Sequence, residues 1–248
     1  MPPNDYGHIT IEMDMEIDTL CGRIVTDVTM KDTLKWGEGW CWDDDNPTLS
    51  PLLVNRKANF TNRFLASLQE VEIVTDSVSL ASEKVPSDAK LVSERKRSID
   101  QILQRMMKDS DNLYAESVFY QTAASIRQPS RALDAARQER ALLERAGVGS
   151  SSCRIADGSG LSLYNYLSAE IETMILRYAF RRKAIYSHLL YSLPIAGEDG
   201  TLKKRMIGTS AEGNVQAKTG TLTGVISLAG YCSASNGHRL CFAIMNQG

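Results

Sequence analysis

Two short polar motifs carry hydroxyl, amide and ammonium groups that a single reaction could use. The hydroxyl of Ser110 can relay a proton to a leaving amine, and the amide of Asn112 can hold a peptide group. The ammonium of Lys218 can lower the cost of a charged hydroxyl nearby. The motifs themselves are Ser110-Asp111-Asn112 and Lys218-Thr219-Gly220-Thr221.

The second motif also has the residue types of a substrate-binding strand. Gly220 lets a substrate backbone come close to the strand edge, and Thr221 offers a hydroxyl to a terminal carboxylate. Each motif alone is a weak signal, because Ser, Asp and Asn are common helix caps and a Lys-Thr-Gly strand is commonly an exposed edge.

The elements around the first motif are two amphipathic helices. Ser98 and Gln101 form a capping box, which predicts a helix that ends near Lys108. Residues 110–112 therefore fall at a helix junction. Apolar residues recur at helical spacing on both sides of it: Ile99, Ile102, Leu103, Met106 and Met107 before it, and Ala115, Val118, Phe119 and Ala123 after it.

The second motif opens a strand at the C-terminal end of the chain. Alternation through residues 215–219, an apolar run over 223–232 and a second run over 240–245 predict antiparallel strands. With helices in the middle of the chain, the pattern indicates an α+β fold, an antiparallel sheet with helices packed on it and a helical subdomain. Further helices are predicted over 59–70 and over 130–146. Another helix is predicted to begin at Ser168, and a short one to end before Pro194. A strand is predicted over 71–80.

The hairpin between the last two strands also sets a prediction about cysteines. If Asn236-Gly237 is a two-residue turn, Cys232 faces Cys241. A cross-strand disulfide is then geometrically allowed, alongside the alternative of two free thiols.

Composition excludes several classes of protein. The net charge of −2 argues against nucleic acid as a partner, and no apolar run is long enough to span a membrane. Five cysteines without CxxC spacing and three scattered histidines argue against a zinc site, and no cofactor is expected. Residues 1–20 are acidic and have no apolar core, so they are not a signal peptide.

Four segments, in order and spacing, resemble the D-alanyl-D-alanine carboxypeptidase/endopeptidase family, the class C low-molecular-mass penicillin-binding proteins. They are residues 108–116, 156–162, 193–202 and 217–224. The resemblance implies a periplasmic serine enzyme that cleaves D-Ala-D-Ala peptides of peptidoglycan through an acyl-enzyme and is acylated by β-lactams. It implies catalytic positions at Ser110, Asn112 and Lys218. The substrate-binding positions are then Asp111, Thr219, Gly220 and Thr221. The Trp-rich stretch at 36–42 resembles the family's inserted domain, which predicts a remnant of that domain over 1–58 and a partial penicillin-binding domain over 59–248.

The nucleophilic serine of the family pattern is the missing part. The family's S-x-x-K lies at the start of a buried helix near the N-terminus, and none precedes Trp36. Two strings match, beginning at Ser87 and Ser93, but their polar surroundings cannot shield a serine–lysine pair, so both are interpreted as decoys. The chain is therefore expected to be incomplete at both termini and inactive alone. The alternatives are a non-catalytic peptidoglycan-binding scaffold and a β-lactamase, which would need a positioned glutamate.

Overall fold

Helices and two small sheets make up the part of the chain that the computed structural model describes, residues 17–41, 47–76 and 78–248. The acidic N-terminal stretch through residue 16 and part of the Trp-rich loop, including Trp42, lie outside the described residues. The α-helices are α1 Phe60–Glu70, α2 Ile99–Lys108, α3 Asn112–Ala124, α4 Ala132–Arg145, α5 Ala169–Phe180 and α6 Lys183–Ser192. Short 3-10 helices cover Ser150–Ser152 and Gly200–Leu202.

The strands form two separate sheets. The first is a parallel pair and the second is an antiparallel, three-stranded sheet in the order β3-β4-β5. The predicted α+β class is confirmed. The strands are β1 Gly22–Thr26, β2 Val78–Ser82, β3 Gln216–Leu222, β4 Val225–Ser233 and β5 Arg239–Gln247.

Local capping signals place the helix starts where the sequence predicted them. The hydroxyl of Ser98 accepts from the backbone N–H of Gln101 at 3.2 Å, and the Gln101 side chain accepts from the Ser98 N–H at 3.0 Å. Ser168 caps α5 in the same manner, accepting from Ile171 at 3.3 Å. Gly147 follows α4 with a φ of 87°, the left-handed conformation that commonly ends a helix.

The predicted strand over 71–80 is wrong in its first half. Val71 and Glu72 form a turn after α1, with Glu72 at a φ of 63°, and β2 begins only at Val78. A residue in the left-handed region cannot continue an extended strand, so before β2 only an isolated parallel bridge between Val74 and Thr19 forms in this stretch.

The predicted register of the last hairpin is also wrong, by one residue. The N–H of Ala234 donates to the carbonyl of His238 at 2.8 Å, and Gly237 has a φ of 82°. The connection is therefore a three-residue loop with glycine in the left-handed position. Cys232 is paired with Leu240 and Cys241 with Tyr231, and both thiols are free.

The one-residue shift separates the two cysteines into different parts of the core, because neighbouring strand positions point to opposite faces. Cys232 packs with Leu202 and Ala217, whereas Cys241 packs with Leu193 and Leu176. The second face is covered by α5, where the hydroxyl of the fully buried Tyr231 donates to the Leu176 carbonyl at 2.8 Å. Within the described residues, no helix combines the length and apolar character needed to cross a membrane.

Candidate active site

The first motif occupies the tight junction between α2 and α3. Ser110 has a φ of 55°, in the left-handed region that residues with a side chain rarely adopt. Backbone strain of this kind is concentrated at functional sites, where the surrounding structure maintains it. The strained turn allows α2 to end at Lys108 and α3 to begin at Asn112 with one serine held between them.

The structure brings the two motifs into direct contact. The ammonium of Lys218 on β3 donates to the hydroxyl oxygen of Ser110 at 2.8 Å and to the carbonyl of Thr219 at 2.6 Å. Both partners are half-buried, and burial lowers the pKa of Lys218 below its ordinary value. Since the Ser110 oxygen accepts from Lys218, its own hydrogen remains available for donation to a substrate.

Asp111 has a different environment from its neighbours in the motif. Its carboxylate is buried, caps α3 by accepting from the Leu113 N–H at 3.1 Å, and pairs with Arg56 at 2.7 Å and Arg105 at 3.2 Å. Burial opposes ionisation, but the hydrogen bond and charge of Arg56 and the other partners outweigh it, and the pKa of Asp111 is lowered. These contacts favour a role in holding the junction, and the predicted contact with substrate stays a prediction.

The remaining predicted residues lie beside the contact between the two motifs. Asn112 is the first residue of α3, and its side chain makes no hydrogen bond to the described residues. Thr221 is exposed on β3, which from Lys218 onward pairs with β4 alone among the described strands. A Cβ at Gly220 would lie too close to the hydroxyl oxygen of Ser227 on β4, so a side chain at this position would require that hydroxyl to rotate away.

A third segment, which sequence reasoning quoted but gave no role, ties the two motifs together. Asp199 pairs with Lys108, two residues before Ser110, and accepts from the Ile195 N–H at 2.8 Å. Two residues later, Thr201 accepts a hydrogen bond from the Thr219 hydroxyl at 3.0 Å. The loop before β3 therefore contacts both halves of the site. In the sequence, the position of this loop between the two motifs is the feature that could have indicated its role.

The glycine-rich turn at 156–162 is fixed to α3, below the site. Glu116 accepts from the N–H groups of Gly158 at 3.0 Å and Ser159 at 2.8 Å. Asp157 accepts from Trp40 Nε1 at 2.8 Å and from the Ser162 N–H at 2.6 Å. The turn and the Trp-rich loop therefore have a structural role next to α3. Glu116, between the two motifs in sequence, is bonded to this turn and not to the Ser110–Lys218 pair.

The two S-x-x-K strings lie outside every helix and strand. Ser87 and Ser93 are both exposed, in the irregular stretch between β2 and α2. A serine–lysine pair needs a helical turn and shelter from water to act as a nucleophile, and neither string has them. Their exclusion as nucleophiles stays a prediction.

Comparison with known proteins shows which family the chain resembles. The model of the D-Ala-D-Ala carboxypeptidase 3 (S13) family matches residues 52–248. The chain is 30% identical over 178 residues to D-alanyl-D-alanine carboxypeptidase DacB of Haemophilus influenzae, covering 71% of this chain and 37% of that protein. It is 32% identical over 218 residues to a D-alanyl-D-alanine carboxypeptidase of Actinomadura sp., covering 83% and 39%. The chain thus spans about two fifths of the length of these curated relatives.

Solved structures show the same relationship in three dimensions. A crystal structure of penicillin-binding protein 4 (DacB) from H. influenzae superposes with a TM-score of 0.82 at 22% identity, covering 94% of this chain and 70% of that one. Another, complexed with a β-lactam, gives a TM-score of 0.69 at 28% identity over 81% and 47% of the two chains. The fold is that of the serine DD-peptidases. With the family match over most of its length, the chain belongs to the D-Ala-D-Ala carboxypeptidase 3 (S13) family.

Proposed function

We propose that this chain supplies the Ser-Asp-Asn and Lys-Thr-Gly parts of a periplasmic, penicillin-binding serine carboxypeptidase/endopeptidase that acts on D-Ala-D-Ala peptides of peptidoglycan. The observation that carries the proposal is the 2.8 Å hydrogen bond from Lys218 to Ser110, which joins two motifs from distant parts of the sequence. The family match and the relatives named as D-alanyl-D-alanine carboxypeptidases support the substrate class.

In the proposed reaction, the peptide lies along the free edge of β3 as an added strand. A serine hydroxyl attacks the carbonyl of the penultimate D-alanine, a C–O bond forms, and the C–N bond to the last D-alanine breaks. Ser110 relays to the departing amine the proton that the attacking hydroxyl loses, while Lys218 stabilises the charge on the hydroxyl oxygens. Asn112 holds the peptide group, Thr219 and Thr221 bind the terminal carboxylate, and water then hydrolyses the acyl-enzyme.

The attacking serine is assigned to no residue of this chain, so the chain alone is proposed to be inactive. Loss of a serine nucleophile reduces kcat on the order of 10⁶-fold. The test is fluorescent penicillin applied to the purified chain and to the product of any open frame that extends upstream of Met1. The extended product should be labelled covalently and the 248-residue chain should not. Covalent labelling of the chain by itself would show that the nucleophile lies within it.

A second candidate is a scaffold that binds peptidoglycan peptides without cleaving them. The exposed, non-helical setting of Ser87 and Ser93 favours it, because the site geometry is retained without a sheltered nucleophile. Calorimetry with a peptide ending in D-Ala-D-Ala should then show reversible binding that a peptide ending in L-Ala-L-Ala lacks. Absence of any heat of binding would count against this candidate.

We further propose that residues 1–58 derive from an inserted domain and that residues 59–248 form the penicillin-binding domain. The Trp-rich stretch, which resembles the family's inserted domain, supports this origin for the first part. The two parts are nevertheless in contact, since β1 pairs with β2 across the boundary and Leu49 packs in the same core cluster as Phe119. Limited proteolysis that cuts first near residue 58 would support this boundary, and an initial cut within α3 or β4 would contradict it.

A further inference from the structure

A pocket of about 550 Å³ lies away from the Ser110–Lys218 pair, between the C-terminal end of α4 and one face of α5. Its volume falls in the range of small-molecule sites. The apolar part of its lining comes from Ala146 and Met174, with the ring of Tyr178 beside them. The charged part consists of four arginines: Arg145, Arg177, Arg181 and Arg182.

These arginines have no acidic partner among the described residues. None of the four forms an ion pair, and the side chains of Arg177 and Arg181 form no hydrogen bond within that part of the chain. Both are exposed, and they lie one helical turn apart, Arg177 in the last turn of α5 and Arg181 at its C-terminal cap. Like charges at this spacing destabilise a helix, so their placement costs stability that an anion bound between them would recover.

The negative C-terminal ends of the helices offset only part of the positive charge of these four arginines. Arg145 donates to the Ala141 carbonyl at 3.2 Å, and Arg182 donates to the Tyr178 carbonyl at 3.1 Å while its guanidinium stacks 3.4 Å from the Tyr178 ring centroid. Each helix end carries roughly half a negative charge, so two ends offset about one of the four positive charges. Arg177 and Arg181 remain uncompensated.

We propose that this pocket, the α4–α5 arginine pocket, binds the phosphate or pyrophosphate group of a ligand. Guanidinium groups bind phosphate oxygens through paired, charge-assisted hydrogen bonds, and several of them around one cavity match a multiply charged phosphate better than a single carboxylate. Ala146 and Met174 offer an apolar surface to whatever carries the phosphate. Both soluble molecules and lipid headgroups carry such phosphates, and the chemistry of recognition is the same for the two sources.

The first experiment is calorimetry with inorganic pyrophosphate on the full 248-residue chain. The double variant Arg177→Gln/Arg181→Gln should bind at least tenfold more weakly than the unmodified chain. The matched control is Lys203→Gln/Lys204→Gln, which removes two exposed cations elsewhere and should bind like the unmodified chain. Equal weakening in both double variants would show a general charge effect and overturn the proposal.

Two further measurements separate ligand binding from helix capping and identify the source of the phosphate. Without ligand, Arg177→Gln/Arg181→Gln should melt at or above the temperature of the unmodified chain, because it removes repulsion; a lower melting temperature would mean that the arginines are structural. Vesicles containing phosphatidylglycerol, compared with phosphatidylcholine alone, test the lipid source. Binding of either pyrophosphate or the anionic vesicles that depends on Arg177 and Arg181 supports the proposal, and binding of neither overturns it.

Discussion

Two polar clusters lie along α3, and their hydrogen bonding differs sharply. Below the site, Asp157 accepts four hydrogen bonds, and Glu116 beside it accepts two. At the N-terminal end of the helix, Lys218 has only hydroxyl and carbonyl partners and no carboxylate within the described residues. Ser110 beside it has a strained backbone. The carboxylates of the first cluster are saturated with hydrogen bonds, whereas the ammonium of the second cluster has no charged partner among the described residues.

The difference separates residues that hold the fold from residues to which the proposed function assigns the chemistry. A saturated buried carboxylate fixes the turn and loop around it, because donors such as the buried N–H of Ser162 would otherwise lose their acceptor. A half-buried ammonium without a counter-ion costs stability, and that cost is recovered when a substrate's negative charge arrives. Stability and binding should therefore respond in opposite ways to substitutions in the two clusters.

The largest change in the free energy of unfolding is expected from Asp157→Ala. The substitution leaves the N–H groups of Gly160 and Ser162, the Trp40 indole and the Asn165 amide without their acceptor. The free energy of unfolding should fall by about 3 to 5 kcal/mol, measured by urea denaturation. Asp88→Ala, at an exposed position, is the control and should change stability by less than about 0.5 kcal/mol. A loss below about 1 kcal/mol at Asp157 would mean that water replaces the carboxylate.

Glu116 should make the stability of the same cluster depend on pH. Burial, with the charge of Asp157, raises the pKa of Glu116 to about 7 from an ordinary 4.5. The folded chain then binds more protons than the unfolded chain between these values, so stability falls as pH rises from about 4.5 to 7. Glu139, whose pKa is also raised to about 7, mainly by burial, adds to this fall.

Replacement of Glu116 by Gln should remove its part of that pH dependence. Since one pKa unit corresponds to about 1.4 kcal/mol, Glu116→Gln should gain about 3 kcal/mol relative to the unmodified chain at pH 8 and nothing at pH 4.5. Denaturant curves at several pH values measure it. Glu144→Gln, at an exposed position on α4, should follow the unmodified chain. A pH profile of Glu116→Gln parallel to that of the unmodified chain would place the titrating group elsewhere.

The opposite response is expected for Lys218→Met in the other cluster. An apolar side chain of similar length removes the cost of a half-buried ammonium, so stability at pH 7 should hold or rise by up to about 1 kcal/mol. Binding of a peptide ending in D-Ala-D-Ala should weaken at least tenfold, a loss of about 1.4 kcal/mol. Lys203→Met should change neither quantity. A variant that loses stability in step with binding would make Lys218 a structural residue like Asp157.

Local sequence signals predicted the elements that position both clusters, but not their contacts. The capping box at Ser98 and Gln101 is decisive because both partners lie within one turn of the same helix. The hairpin register failed because Gly237 takes the left-handed position of a three-residue loop, a choice the dipeptide Asn236-Gly237 does not specify. Family resemblance linked the motifs of Ser110 and Lys218, since hydrogen bonds between residues so far apart in sequence leave no local pattern.

The smallest change in stability is expected from a substitution that relieves the backbone strain at Ser110. Ser110 has a φ of 55°, which glycine adopts without steric cost, so Ser110→Gly should stabilise the chain by about 0.5 kcal/mol after the entropy of the added glycine is subtracted. Ser117→Gly makes the same chemical change at an exposed position inside α3 and should destabilise by about 1 kcal/mol. Urea denaturation of both variants measures the change in the free energy of unfolding. A gain for Ser110→Gly together with a loss for Ser117→Gly would show that the chain retains a serine at the junction at the expense of its stability. Equal losses would show that the hydrogen bond to Lys218 stabilises the fold by more than the strain costs.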